Sequence, residues 1–289
     1  MTRRNLYAGP GLLLLVLGLV SLAGPTRLEA GAWTQPKRAA YIKLAALSFA
    51  SNEDLNAGGN RVGKPGMGEL TDFSISAYLE YGLHERLTLV ASLPYKRLLD
   101  ERRFTDEEGT LTGIGRERHR GPGDLDLRLR WRWRTEPAVI SLALGGKVPL
   151  DYKMRLDSNV PLGTGELDGD IRLLVGKSLH PFPGYLTGTA GYRKRGGEFG
   201  DELFFGLEGG ITWKRLLFKG AVEGIGTLGD CGATGQAGLT GDQDIIKVAP
   251  GLIWPLTQNL ELGLDLFHPV AGCNTALGTT YALGLAFKH

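Results

Sequence analysis

From residue 38 to its end the chain repeats one pattern. Apolar and polar positions alternate with a period of two, in stretches of about ten residues, as in a strand whose two faces meet different surroundings. The stretch 124–134 shows it most fully. Leu125, Leu127, Leu129, Trp131 and Trp133 share one face; Asp124, Asp126, Arg128, Arg130, Arg132 and Arg134 share the other. A helix would mix the two sets around its circumference, whereas a strand separates them. Phe73, Ile75, Ala77, Leu79 and Tyr81 likewise oppose Ser74, Ser76, Tyr78 and Glu80. Leu260, Leu262, Leu264 and Leu266 oppose Glu261, Gly263 and Asp265, and Tyr281, Leu283, Leu285 and Phe287 oppose Thr280, Ala282, Gly284 and Ala286. The pattern predicts twelve strands, at 38–50, 70–82, 87–97, 124–134, 138–149, 167–179, 184–195, 202–213, 216–227, 243–255, 260–268 and 276–288. In 184–195 and 216–227 the alternation is too weak to fix the facing.

The connections alternate as well. Short ones, such as 82–86, 135–137, 180–183, 214–215 and 257–259, carry turn residues. Between them lie longer ones at 51–69, 98–123, 150–166, 228–242 and 269–275, and a shorter loop at 196–201. An even strand count with short turns at one end and long loops at the other predicts an all-β fold. It is a transmembrane antiparallel up-and-down β-barrel of the bacterial outer membrane, with short periplasmic turns and long extracellular loops. The apolar face then meets lipid and the charged face the lumen. The ring must close, because an open edge leaves backbone groups unsatisfied in hydrocarbon. A slip of one residue in 124–134 would turn its charges to lipid, at about 2–4 kcal/mol for each arginine near the midplane, so register is strongly fixed. Tyr81, Trp131, Trp133, Trp213 and Trp254 all fall at strand ends beside short turns, as an interfacial aromatic girdle does. Phe73, Tyr95, Phe205 and Phe267 are the expected girdle of the opposite rim.

Composition changes this picture in three places. Residues 1–32 read as a secretory signal: Arg3 and Arg4, an apolar run from Gly11 to Gly24, and Ala30-Gly31-Ala32 as the small-x-small cleavage site. Residues 33–289 are then the barrel domain. Removing the signal takes away Arg3, Arg4, Arg27 and Glu29 from a chain of formal charge +2, leaving a balanced one. That balance argues against nucleic acid as a partner. Glycine, 44 of 289 residues, suits a tightly curved wall and its loop tips. Cys231 and Cys273 fall in long loops of the same rim and are expected to pair, since an exported chain crosses an oxidising compartment.

Two readings of the charged face stand open. Asp124, Asp126, Arg128, Arg130, Arg132 and Arg134 form either a selectivity stripe of a pore or a structural network. In the network reading they pair with the inward acids Glu80, Glu208, Glu223 and Asp265. Loop 98–123 is the most charged, and is read as a solvated surface loop rather than an inward-folded gate. Gly224-x-Gly226-x-x-Gly229 matches a dinucleotide fingerprint but lacks the following helix. Glu166, Asp168 and Asp170 lack a full calcium-loop pattern and read as solvated residues at a strand base. His84, His119, His180, His268 and His289 make no ligand pair, and His268 has no evident serine partner. The sequence therefore points to no enzyme, no cofactor and no metal. Only residues 33–37 precede the first strand after the signal, so no N-terminal plug domain is expected.

Several stretches resemble a known family. They are Ala32-Trp-Thr-Gln-Pro-Lys37, Ala40-Tyr-Ile-Lys-Leu44, Glu80-Tyr-Gly-Leu83, Arg86-Leu-Thr-Leu89, Leu93-Pro-Tyr95, Gly123-Asp-Leu125, Leu162-Gly-Thr-Gly165 and Gly191-Tyr-Arg193. The chain resembles the outer-membrane β-barrel transporters related to proteins of the meta-pathway of phenol degradation. That resemblance spans most of residues 33–289. It implies a barrel and a link to the uptake of aromatic compounds, and carries no binding residues over. Lys288 and His289 follow the final aromatic Phe287, a departure from the usual barrel-assembly signal. The expected function is an outer-membrane channel for passive transport of small solutes, possible cargo being aromatic or hydrophobic compounds. The alternative is a structural or adhesive barrel with a closed lumen and functional outer loops. Its expected partners are outer-membrane lipid, the barrel-assembly machinery and an unidentified small solute.

Overall fold

The computed structural model describes residues 31–64, 67–105, 110–150, 162–231 and 242–289. Residues 1–30 of the expected signal peptide 1–32 lie outside the described residues. Sixteen strands occur among the described residues: β1 (Ala40–Ser51), β2 (Glu53–Leu55), β3 (Arg61–Gly63), β4 (Glu69–His84), β5 (Leu87–Thr105), β6 (Leu111–Pro122), β7 (Leu125–Arg134) and β8 (Val139–Val148), followed by β9 (Asp168–Ser178), β10 (Gly184–Lys194), β11 (Glu202–Trp213), β12 (Leu216–Thr227), β13 (Asp244–Pro255), β14 (Leu260–Cys273), β15 (Thr275–Leu277) and β16 (Thr280–Lys288). Twelve of them close an antiparallel ring in the order β4-β1-β16-β14-β13-β12-β11-β10-β9-β8-β7-β5, and β5 pairs back onto β4. Its first and last strands seal the wall, from Tyr41 opposite Lys288 to Phe49 opposite Thr280. Every ring strand thus has two neighbours, and no edge is left in the hydrocarbon.

The alternation sets the facing. Leu207 on β11 is 65% exposed on the outer wall, whereas Asp265 on β14 is 6% exposed inside. Ile75, Leu129, Leu144, Leu264 and Leu283 join the outer apolar band. In water such a band would be a large exposed apolar patch; in a bilayer it is solvated by acyl chains. Tyr81, Trp131, Trp133, Trp213 and Trp254 are all exposed at the short-turn rim. Phe73, Tyr95 and Phe205 are exposed toward the other rim. Phe267 corrects the expected girdle: it shares the inward face of Asp265, and Lys247 Nζ lies 5.3 Å from its ring centroid.

Loop 98–123 is largely wall rather than loop. β5 runs on to Thr105, and β6 pairs with it from Tyr95 opposite Pro122 to Thr105 opposite Leu111. β7 takes over the same edge from Ser92 opposite Asp126 downward. The hairpin stands out beyond the membrane as an extension of the barrel. Charges occupy both of its faces, which erases the apolar–polar contrast that identifies a strand. At the same rim β15, β2 and β3 form a small sheet, with Ala276 opposite Asp54 and Asp54 opposite Val62. Cys231 and Cys273 form a disulfide with Cα atoms 6.3 Å apart, joining the loop after β12 to the end of β14.

Candidate functional site

The lumen has two unlike halves. Along β10, β9, β8, β7, β5 and β4 the segment before β1, from Gly31 to Pro36, lies against the inner wall at the short-turn end. Gly31 meets Thr187. Ala32 is fully buried against Val139, Ala143 and Leu174, and its carbonyl accepts the Ser141 hydroxyl at 2.5 Å. Trp33 packs edge-on against Tyr185, ring centroids 6.3 Å apart. Its carbonyl accepts Arg130 Nη1 at 2.8 Å. Thr34 donates to the Glu85 carbonyl, and the Gln35 N–H donates to Thr88 Oγ1 at 2.8 Å. Pro36 follows, holding Gln35 extended. The segment is a few residues rather than a domain, held to the wall through Ser141, Arg130 and Thr88.

Beneath the segment the charges are closed off. Arg130 Nη2 reaches Glu80 Oε1 at 2.9 Å, and Glu80 also accepts the Gln35 amide at 2.8 Å and the Tyr78 hydroxyl at 2.5 Å. A buried ion pair is tolerable when its remaining hydrogen-bonding positions are largely filled, and here Arg130 Nε has no hydrogen-bond partner among the described residues. Further up this half, Arg128 pairs with Asp126 and with Asp170 at 3.1 Å, and Arg172 also holds Asp170 at 2.7 Å. Lys147 bridges Asp124 and Asp168, each at 3.0 Å. Arg193 and Arg195 share Glu202, and Arg195 reaches Asp242 at 3.2 Å.

The other half, β1, β16, β14, β13, β12 and β11, carries a sparser ladder. Lys43 and Lys219 flank Asp265 at 3.0 and 2.9 Å. Lys219 also approaches Glu208, which accepts the Tyr185 hydroxyl at 2.6 Å. Lys247 pairs with Glu223 at 3.1 Å, their side chains 32% and 43% exposed. Small residues leave the room: Ala282, Gly284 and Ala286 on β16, Gly251 on β13 and Gly263 on β14. A Cβ on Gly251 would come within 2.5 Å of Asp265 Oδ1, and one on Gly284 within 2.4 Å of Lys43 Cε. At the long-loop end the lumen meets an apolar cluster of Leu70, Leu98, Leu162 and Ala276, with Phe49 against it.

No protein-family model matches the chain, and no curated protein does. Solved structures match it. The COG4313 outer membrane channel from Pseudomonas putida F1 aligns with a TM-score of 0.68, over 91% of this chain and 100% of that one, at 16% identity. The NanC porin aligns with a TM-score of 0.52, over 86% of this chain and 100% of that one, at 7% identity. The chain has the fold of an outer-membrane channel. At these identities the likeness is one of fold.

The predicted stripe is divided by the structure. Asp124, Asp126, Arg128, Arg130 and Arg132 face inward, and Arg132 donates to the Glu85 carbonyl at 2.8 Å on the rim. Arg134 does not. Trp133 is an extra residue in β7, so Arg134 falls opposite Ile140 and turns outward. A bulge reverses the face of whatever follows it. Of the acids predicted as partners, Glu80 meets the stripe, while Glu208, Glu223 and Asp265 pair with lysines across the lumen. Asp168 and Asp170 correct the solvated reading: they are the buried counter-charges of Lys147, Arg128 and Arg172. The alternation of 168–178 places them on the inward face, a signal present in the sequence. Gly224 and Gly226 lie within β12, with no helix after them among the described residues.

Proposed function

We propose that this barrel is a passive channel of the bacterial outer membrane for small solutes, its path running along the half formed by β1, β16, β14, β13, β12 and β11. The observation that carries the proposal is the contrast between the halves: this half keeps accessible charge over small residues, while the other is packed. Opposite charges face the path in near balance, which favours small polar or zwitterionic solutes over strong sorting by sign. The resemblance to transporters linked to phenol degradation adds aromatic acids to that class. Lys247 beside the Phe267 ring offers such a molecule an ammonium for its carboxylate and a ring for its face. Barrel insertion by the assembly machinery and solvation by outer-membrane lipid belong to this reading, as does a passive, non-enzymatic role. A mature chain starting at Trp33 keeps the contacts of Trp33 to Pro36 and gives up those of Ala32.

Swelling of proteoliposomes in small sugars, amino acids and benzoate tests the proposal. Swelling that falls with solute size is expected, with benzoate among the permeant solutes. Correctly folded barrel that admits none of them would contradict it. That outcome would favour the closed-lumen reading, which rests on the apolar cluster at one mouth and the inserted segment at the other.

A further inference from the structure

The outer face of the β5–β6 hairpin carries charge that the channel does not use. Alternate residues of a strand face the same way, about 7 Å apart. On β5, Tyr95 is followed on the lipid-side face by Arg97, Leu99, Glu101 and Arg103. On β6, Arg120, Arg118 and Arg116 lie opposite Arg97, Leu99 and Glu101. All five arginines are exposed. Phe73 lies directly across from Arg97 on β4, and Tyr95 one step below, so the arginines begin where the aromatic rim of the apolar band ends. Against them this face sets Glu101, bound to Arg116 at 2.8 Å, and Glu69. Arg97, Arg118 and Arg120 make no ion pair among the described residues.

Arg97 and Arg120 are direct cross-strand partners. Like charges in that position destabilise a sheet unless something offsets them. A cavity of about 710 Å³ reaches these arginines and the Phe73 and Tyr95 rings, and its lining continues through the wall to Asp72 and Leu98. Guanidinium forks suit phosphate oxygens, which they hold bidentately.

We propose that this face binds the phosphorylated glycolipid of the outer leaflet, its phosphates held by Arg97, Arg118 and Arg120 and its acyl part lying against Phe73 and Tyr95. The site stands on the lipid side of the wall, so it is independent of whether the lumen conducts.

The test is binding of lipid A to the purified full barrel in detergent, beside lipid A stripped of its phosphates and beside inorganic phosphate. The combined variant Arg97→Gln, Arg118→Gln, Arg120→Gln is measured with them, and Lys177→Gln on the opposite rim is the control. Wild-type protein is expected to bind lipid A at least tenfold more tightly than the dephosphorylated form, and the triple variant to lose that difference while Lys177→Gln keeps it. Equal binding of the two lipids by wild-type protein would overturn the proposal, whether or not the variant folds. Inorganic phosphate displacing lipid A at matching concentration would also overturn it, in favour of a simple anion site.

Discussion

The two halves of the lumen carry the same residue chemistry and use it differently. Beneath the N-terminal segment, Arg130 and Glu80 have side chains 8% and 5% exposed. Across the lumen, Lys219 and Glu208 remain 20% and 23% exposed. In the first half the Arg130–Glu80 pair lies under a cover of chain; in the second, lysines span gaps left by glycine and alanine. A charged inward face is therefore not in itself a selectivity filter. What decides is whether chain or water occupies the space in front of it.

The largest effect that would sharpen this contrast comes from Arg130→Ala. It leaves Glu80 buried without its cation and should cost about 3–5 kcal/mol, as removal of one partner of a buried pair does. Lys219→Ala leaves Asp265 with Lys43 and a partly wet Glu208, and should cost about 1 kcal/mol or less. Denaturant unfolding of both variants in detergent checks the difference, and equal losses would erase the distinction between the halves.

Glycine substitutions come next. A Cβ on Gly82 would sit 1.8 Å from the Pro36 carbonyl oxygen, a backbone atom that cannot move without the segment. Gly82→Ala should cost about 1–3 kcal/mol, as overpacking does, and expel the segment, exposing Trp33 to an aqueous fluorescence quencher. Gly284→Ala meets only the flexible end of Lys43 and should leave Trp33 protected.

Charge reversal gives a smaller readout. Lys219→Glu should move the reversal potential in a salt gradient toward cation preference. Arg128→Gln, behind its two carboxylates, should move it far less. An equal shift from both would return the arginine stripe to the path.

The smallest effect lies in the projecting hairpin. Hydrogen bonding from Arg116 holds the Glu101 carboxyl below its ordinary value of 4.5. A group with a lowered folded-state pKa stabilises above its unfolded value and loses that contribution as pH falls through the folded one. The hairpin should therefore stay ordered at neutral pH and loosen only below about pH 4.5, with no change on the alkaline side. Amide exchange across 111–122 would show this, and Glu101→Gln should abolish the acid step.

Much of this was legible in the sequence, for one physical reason. Lipid on one side and charge on the other force strict alternation, so the ring strands and the facing of Leu127, Trp131, Asp126 and Arg128 follow from the period alone. The disulfide followed from loop position and compartment. Three features were not legible. The hairpin of β5 and β6 carries charge on both faces and has no contrast to read. The Trp133 bulge, which sends Arg134 outward, depends on pairing with β8 rather than on local sequence. The N-terminal segment is too short for any periodicity, and its place in the lumen is set by partners such as Glu80, Thr88 and Ser141 far along the chain.

The most direct measurement is single-channel conductance in planar bilayers of the refolded chain from Trp33, beside a variant lacking Trp33, Thr34, Gln35 and Pro36. The account expects discrete steps from the first and severalfold larger steps from the second, because the covered half then opens to water. Identical steps would mean that the segment does not narrow the path, and silence from both heat-modifiable barrels would contradict the channel itself.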